Sequence, residues 1–153
     1  MELLLMRHGE ASWEAMQDQL RPLTPAGVLS VRCKAELLVR QGVTPDALLH
    51  SGFLRAEQTA ANLADVLGCQ QVIVNEAWQP DCDPQAAIDT LEQYADLPLI
   101  FVVAHMPLLS RVAGLLCEGR GGIGPGFATA DILRLEMEWP GLGMATAGGF
   151  IAE

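Results

Sequence analysis

The sequence predicts an α/β fold, a three-layer sandwich with a mostly parallel central sheet flanked by helices. Short apolar runs of strand length alternate with amphipathic stretches of about 12 to 18 residues, the alternation that βαβ units produce. The runs are apolar throughout rather than every second residue, as expected of strands covered on both faces. Polar, chemistry-bearing residues recur just after several of these runs, where open parallel sheets keep their ligand sites.

"LLLM" (Leu3 to Met6) reads as a buried strand that runs straight into Arg7, His8, Gly9 and Glu10. "LTPAGVLSVRCKAELLVRQG" gives a helix with Thr24 as N-cap, Pro25 in the first turn, an apolar stripe at Val28, Val31, Ala35 and Leu38, and Gly42 as its stop. Asp46 to Leu49 is a short strand, and "FLRAEQTAANLADVLG" is a second helix ending at Gly68. "QVIV" (Gln71 to Val74) is a further strand. Asp83 and Pro84 open a helix that extends to about Tyr94, and "LPLIFVVAH" is the most apolar and β-branched run, hence a central strand. "MPLLSRVAGLLC" is helical, with Pro107 near its start. "EGRGGIGPG" (118–126) reads as a mobile loop because glycine suits neither regular structure. "DILRLEME" is a strand from Ile132 nearer the sheet edge, and the final dozen residues add a last strand.

The 153 residues suit one domain, residues 1–153, with no repeat, charge block or linker to divide it. Cys33, Cys69, Cys82 and Cys117 are scattered, without a CxxC pair or a histidine at metal-ligand spacing. They read as free thiols in a reducing compartment. "LLLM" is too short for a signal-peptide core, and no apolar run approaches the roughly 20 residues of a membrane span. A cytoplasmic protein with no membrane association is expected. A formal net charge of −10 argues against nucleic acid as a partner, since a phosphate backbone would be repelled. Against only nine Lys and Arg residues, Arg7 and Arg55 stand out.

In a parallel sheet the carboxyl ends of neighbouring strands share one edge. His8, "HSGFLR" with Arg55, and His105, each following a different strand, are therefore expected to converge on one crevice. Two guanidinium forks suit phosphate oxygens, and two imidazoles offer a nitrogen nucleophile and a further donor.

The stretches "LLLMRHGEA", "RPLTPAG", "HSGFLRAEQTA", "FVVAHMPLL" and "FATADILRLE" span nearly the whole chain. Together they resemble the histidine phosphatase superfamily, also called phosphoglycerate mutase-like, and more narrowly its SixA-type phosphohistidine phosphatases. The chain departs from the usual pattern at Ala104 before His105, and at Gly52, where proline is common. The resemblance implies that His8 attacks phosphorus while its other ring N–H is held by a carbonyl, giving a covalent phosphohistidine. It also implies that Arg7, Arg55 and His105 surround the phosphoryl oxygens. Catalytic roles are thus expected for Arg7, His8, Arg55 and His105, and substrate contacts for Arg7, Gly9, Ser51, Arg55 and His105.

With charge supplied by side chains, no metal or other cofactor is expected. The implied substrate is protein phosphohistidine, on a phosphorylated histidine phosphotransfer domain or phosphocarrier protein. Ester hydrolysis needs an acid for its poorer leaving group. Glu10, Glu76, Asp81 and Asp83 are the candidates, none in a convincing motif, and Glu10 has the alternative of orienting Arg7. A small-phosphomonoester phosphatase and a non-catalytic phosphoprotein-binding module are the competing readings. His50 is expected to be structural or exposed, Ser51 and Thr59 cap or packing residues with a phosphate contact as the alternative for Ser51, and Trp13 and Trp78 core or surface residues rather than crevice lining. The glycine loop is either a rim of the crevice or a plain surface connection.

Overall fold

In the computed structural model, which describes residues 1–152, six strands form one sheet in the order β3-β2-β4-β1-β5-β6. The strands are β1 (Glu2–Arg7), β2 (Ala47–His50), β3 (Val72–Val74), β4 (Leu99–Ala104), β5 (Ile132–Glu136) and β6 (Thr146–Phe150). Strands β1 to β4 pair in parallel, whereas β5 runs antiparallel to both β1 and β6. The sheet is therefore parallel where β1, β4 and β2 lie side by side, and Arg7 pairs with Ala104 and His50 with Val103 at one common edge.

Alternate residues of the central strands feed two cores. Leu4, Met6, Leu48, Phe101 and Val103 pack with α1 (Pro25–Arg40) and α2 (Leu54–Leu67). Leu3, Leu5, Leu49, Ile100 and Val102 pack on the opposite face with α3 (Pro84–Asp89) and α4 (Leu108–Glu118). Burial on both faces explains why these strands read as unbroken apolar runs. Each buried Leu or Val stabilises the fold by about 1.5–3 kcal/mol. The two cores together can hold charged side chains at the strand ends in positions that are unfavourable by themselves.

Local signals set the boundaries. Thr24 Oγ1 accepts from the Gly27 N–H at 2.9 Å ahead of Pro25, and Gly68 ends α2 in the left-handed region at φ 71°. The helix expected from Pro84 to Tyr94 is α-helical only to Asp89 and continues as a 3-10 turn. At the change Thr90 Oγ1 donates to the Ala87 carbonyl at 2.7 Å, a local bond that competes with the α-helical ladder.

The glycine-rich stretch after α4 is a loop without regular structure, as expected. It lies flat on the helix, and a Cβ on Gly122 would stand 2.2 Å from the Gly114 carbonyl oxygen. A Cβ on Gly124 would stand 2.2 Å from that of Ser110. These glycines permit backbone-on-backbone packing. β5 sits one strand in from the edge, and the last-strand expectation corresponds to β6, which covers it.

Candidate active site

His8 directly follows β1 and stays tied to the sheet, its N–H donating to the Ala104 carbonyl at 3.1 Å. The chain then turns across the start of α1. A Cβ on Gly9 would meet Val31 Cγ2 at 2.8 Å, and one on Gly27 would meet the Glu10 carbonyl oxygen at 2.2 Å. Two glycines thus let the strand exit lie against the helix. On the other side, the Ala130 N–H donates to the Arg7 and His8 carbonyls at 3.0 and 3.1 Å, from a left-handed conformation at φ 65° that alanine rarely adopts.

The imidazole of His8 is oriented through Nδ1, which lies 2.7 Å from the Gly9 carbonyl oxygen. A carbonyl can only accept, so Nδ1 carries the ring proton and Nε2 keeps its lone pair. Arg55 Nε donates to that nitrogen at 3.3 Å. His8 is 7% exposed, and its pKa falls to about 4. Burial is the largest cause, and the charges of Arg55, Arg7 and Arg21 add to it while the Gly9 carbonyl opposes it. At neutral pH His8 is an uncharged imidazole whose Nε2 electron pair is held by the Arg55 Nε–H until an electrophile displaces it.

Thr59 connects this exit to α2: its Oγ1 accepts from the Gly9 N–H at 3.1 Å and donates to the Arg55 carbonyl at 2.7 Å. It is neither a cap nor inert packing, since one hydroxyl fixes the segments bearing His8 and Arg55.

His105 follows β4 and is 2% exposed, with its ring 5.2 Å from that of His8. Its Nε2 lies 2.6 Å from Ser51 Oγ, which also accepts from the Phe53 N–H at 3.3 Å. The other ring nitrogen of His105, Nδ1, is buried without a partner. Burial, then the charges of His8, Arg55 and Arg7, lower the His105 pKa to about 2. Arg7 is held by Nη1 on the Phe127 carbonyl at 2.9 Å, and its Nε is likewise buried without a partner. Such orphaned polar atoms are costly in a folded protein and point to a ligand, one that supplies an acceptor to the Arg7 Nε–H.

Arg7, His8, Arg55 and His105 line one cavity of about 290 Å³, together with Glu10, Ala11, Trp13, Arg21, Pro80, Met106 and Thr129. Three of the chain's nine basic residues thus face one small volume in a protein of net charge −10. Gly9 and Ser51, expected to touch substrate, do not line it. The polar groups of Gly9 are taken by Thr59 and His8, and the Ser51 hydroxyl by His105, so both act from behind the wall.

Glu10 lines the cavity, but its carboxylate accepts from Thr24 Oγ1 at 2.8 Å and does not orient Arg7. Glu76, Asp81 and Asp83 lie outside the lining, and Asp83 caps α3 by accepting from the Ala86 N–H at 3.3 Å. Trp78 is buried as expected, whereas Trp13 is 82% exposed at the cavity mouth, with the Arg21 guanidinium 3.6 Å above its ring. Arg21 and Asp18 escaped the sequence reading. The sole hint was a basic residue opening "RPLTPAG" in a chain poor in such residues.

Among the described residues no group of three or more His, Cys, Asp or Glu side chains is arranged to hold a metal ion. No helix among them is long and apolar enough to cross a membrane.

The model of the histidine phosphatase superfamily (branch 1) matches residues 3–80, the half of the chain that holds Arg7, His8 and Arg55. The chain belongs to this superfamily. It is 30% identical over 149 residues to the phosphohistidine phosphatase SixA of Escherichia coli K12, covering 94% of this chain and 89% of that one. To the Haemophilus influenzae SixA homolog it is 28% identical, covering 88% and 87%. The solved structure of the protein histidine phosphatase SixA complexed with tungstate superposes with a TM-score of 0.91 at 30% identity, over 99% of this chain and 97% of that one. The α/β sandwich is thus the fold of the SixA structure.

Proposed function

We propose that this protein is a phosphatase that removes the phosphoryl group from protein phosphohistidine through a covalent intermediate on His8. The observation that carries the reading is the set of atoms around one point. His8, Arg7, Arg55 and His105 line one cavity, Arg55 Nε donates to the unprotonated His8 Nε2, and two buried nitrogens, Arg7 Nε and His105 Nδ1, have no partner within the protein. Positive and donor groups fixed before the reaction stabilise the charge that spreads over the equatorial oxygens, without reorganisation when the phosphoryl group moves.

His8 Nε2 attacks phosphorus as the bond from phosphorus to the substrate imidazole breaks, and the electron pair leaves with that nitrogen, which takes up a proton. Water then attacks phosphorylated His8, the bond from phosphorus to Nε2 breaks, and inorganic phosphate departs. The proton taken up in the first step is returned by the water in the second, and His8 regains its lone pair. This scheme needs no acid of high strength and assigns no metal. It suits a cavity whose sole carboxylate among the described residues, Glu10, is engaged by Thr24.

The substrate class is a phosphorylated histidine phosphotransfer domain or phosphocarrier protein, met by a single domain in the cytoplasm, where four free thiols remain reduced. The second reading, hydrolysis of a small phosphomonoester, is favoured by one observation, the presence of Glu10 in the lining. Turnover of a phosphohistidine protein against a panel of sugar and nucleotide phosphates separates them. A strong preference for the phosphoprotein is expected, and a strong preference for the esters overturns it. A binding module without turnover is excluded when wild type releases phosphate and His8→Ala does not.

A further inference from the structure

Residues 11–23 leave the site and return to it as a loop closed at its base. Ala11 bridges Leu23, and the Ser12 N–H donates to the Pro22 carbonyl at 2.7 Å. From this loop a short 3-10 turn brings Asp18 over Arg55. Arg55 Nη1 donates to the Asp18 carbonyl oxygen at 2.8 Å and Nη2 to its carboxylate Oδ2 at 3.2 Å. The other carboxylate oxygen, Oδ1, accepts from Arg21 Nη1 at 3.2 Å. Arg21 is itself fixed by Nε on the Ser12 carbonyl at 2.9 Å and by its stack on Trp13.

We propose that Asp18 is a positioning residue for phosphoryl transfer: by holding both terminal nitrogens of Arg55 it fixes the guanidinium beside His8 Nε2, so that the Nε–H hydrogen bond passes from Nε2 to a phosphoryl oxygen as the Nε2 electron pair bonds phosphorus. The inference rests on the reading that His8 is the phosphoryl acceptor. A guanidinium is a rigid plane, so fixing Nη1 and Nη2 fixes where the Nε–H points. In this structure it points at His8 Nε2, 3.3 Å away, the atom to which phosphorus is to be bonded. Charge gives the same answer. Arg55 is 4% exposed, and Arg7 and Arg21 both act against its positive charge, whereas Asp18 favours it. Burial acts to raise the Asp18 pKa, but its bonds and charge interactions with Arg21 and Arg55 outweigh this and lower it, so the carboxylate stays ionised. An ionised group with both oxygens on cations is not a proton donor, so Asp18 is no substitute for the acid the cavity lacks.

The loop therefore does more than rim the cavity. It carries the counter-charge for an arginine 37 positions further along the chain. Removing the carboxylate leaves the Asp18 carbonyl in place, and the guanidinium keeps one tether and is free to swing about it.

The test is a double-mutant cycle with a phosphohistidine protein as substrate, on Asp18→Ala, Arg55→Met and the pair. Asp18→Ala is expected to lower kcat about tenfold or more while KM changes less than threefold, since a guanidinium held in place matters most as charge develops on the phosphoryl oxygens in the transition state. The pair is expected to lose no more than Arg55→Met alone, because Asp18 acts through Arg55. Asp18→Asn, which keeps one acceptor, is expected to fall between Asp18→Ala and wild type and covers the case in which the alanine variant folds poorly. Wild-type kcat in Asp18→Ala, or losses that multiply in the pair, overturn the proposal. Absence of turnover in wild type overturns instead the reading on which it rests.

Discussion

If His8 is held neutral by its surroundings, the protein must lose stability to acid at a pH well above that of most carboxylates. The folded pKa of about 4 lies below the ordinary 6.5 because protonation would put a charge in a buried place beside three guanidinium groups. Between these values the unfolded chain binds a proton at this position and the folded chain does not, so stability rises with pH. The contribution is fully present above pH 6.5, is lost progressively as the pH falls toward 4, and changes no further below that. At about 1.4 kcal/mol per pH unit, the interval corresponds to about 3 kcal/mol, a large share of the about 5–15 kcal/mol that holds a typical domain together. The assay is urea unfolding of wild type and His8→Asn at pH 7, 6, 5 and 4. Asparagine does not titrate, while His50 and His105 are common to both proteins and largely cancel. Wild type is expected to lose about 3 kcal/mol relative to His8→Asn over this range. A difference that stays constant with pH refutes the reasoning, because His8 would then titrate alike in both states.

Two further substitutions probe the supports of the site. Thr59→Val keeps the shape but removes the hydroxyl between Gly9 and the Arg55 carbonyl, leaving a buried N–H unpaired. A stability loss of about 1–3 kcal/mol is expected in urea titrations, with a fall in kcat, and neutrality in both measures contradicts the linking role. Gly27→Ala places a methyl group 2.2 Å from the Glu10 carbonyl oxygen, which is backbone and has no room to yield. A loss of about 3 kcal/mol or more is expected, and a wild-type unfolding midpoint shows that α1 and the strand exit are not locked together as described.

The parallel core was legible because its strands are apolar on every residue and its first helix carries both a cap and a proline at its start. β1, β4, α1 and α2 follow from those signals, and the meeting of Arg7, His8, Arg55 and His105 follows from the shared strand edge. The glycine content of 118–126 marked a loop but did not show that Gly122 and Gly124 serve close contact with α4, because composition alone does not separate conformational freedom from close approach. The break at Thr90 depends on one side-chain bond among equally plausible helical residues. Spacing along the chain did not show that the polar groups of Gly9 and the hydroxyl of Ser51 are bonded to Thr59, His8 and His105, because it does not tell a wall from its support. Asp18 was invisible for a related reason. Its partner lies 37 residues away, and an acidic residue in a polar loop is the commonest of surface features until the loop is seen folded over Arg55.

The account stands on His8 Nε2 as the phosphoryl acceptor. Rapid quenching of wild type mixed with a ³²P-labelled phosphohistidine protein, followed by peptide mapping, tests it most directly. The expected result is one labelled peptide with an acid-labile, base-stable phosphate on His8, formed and lost fast enough to account for turnover and missing in His8→Ala. Steady release of phosphate with label on another residue, or with no enzyme-bound label at any time, contradicts it.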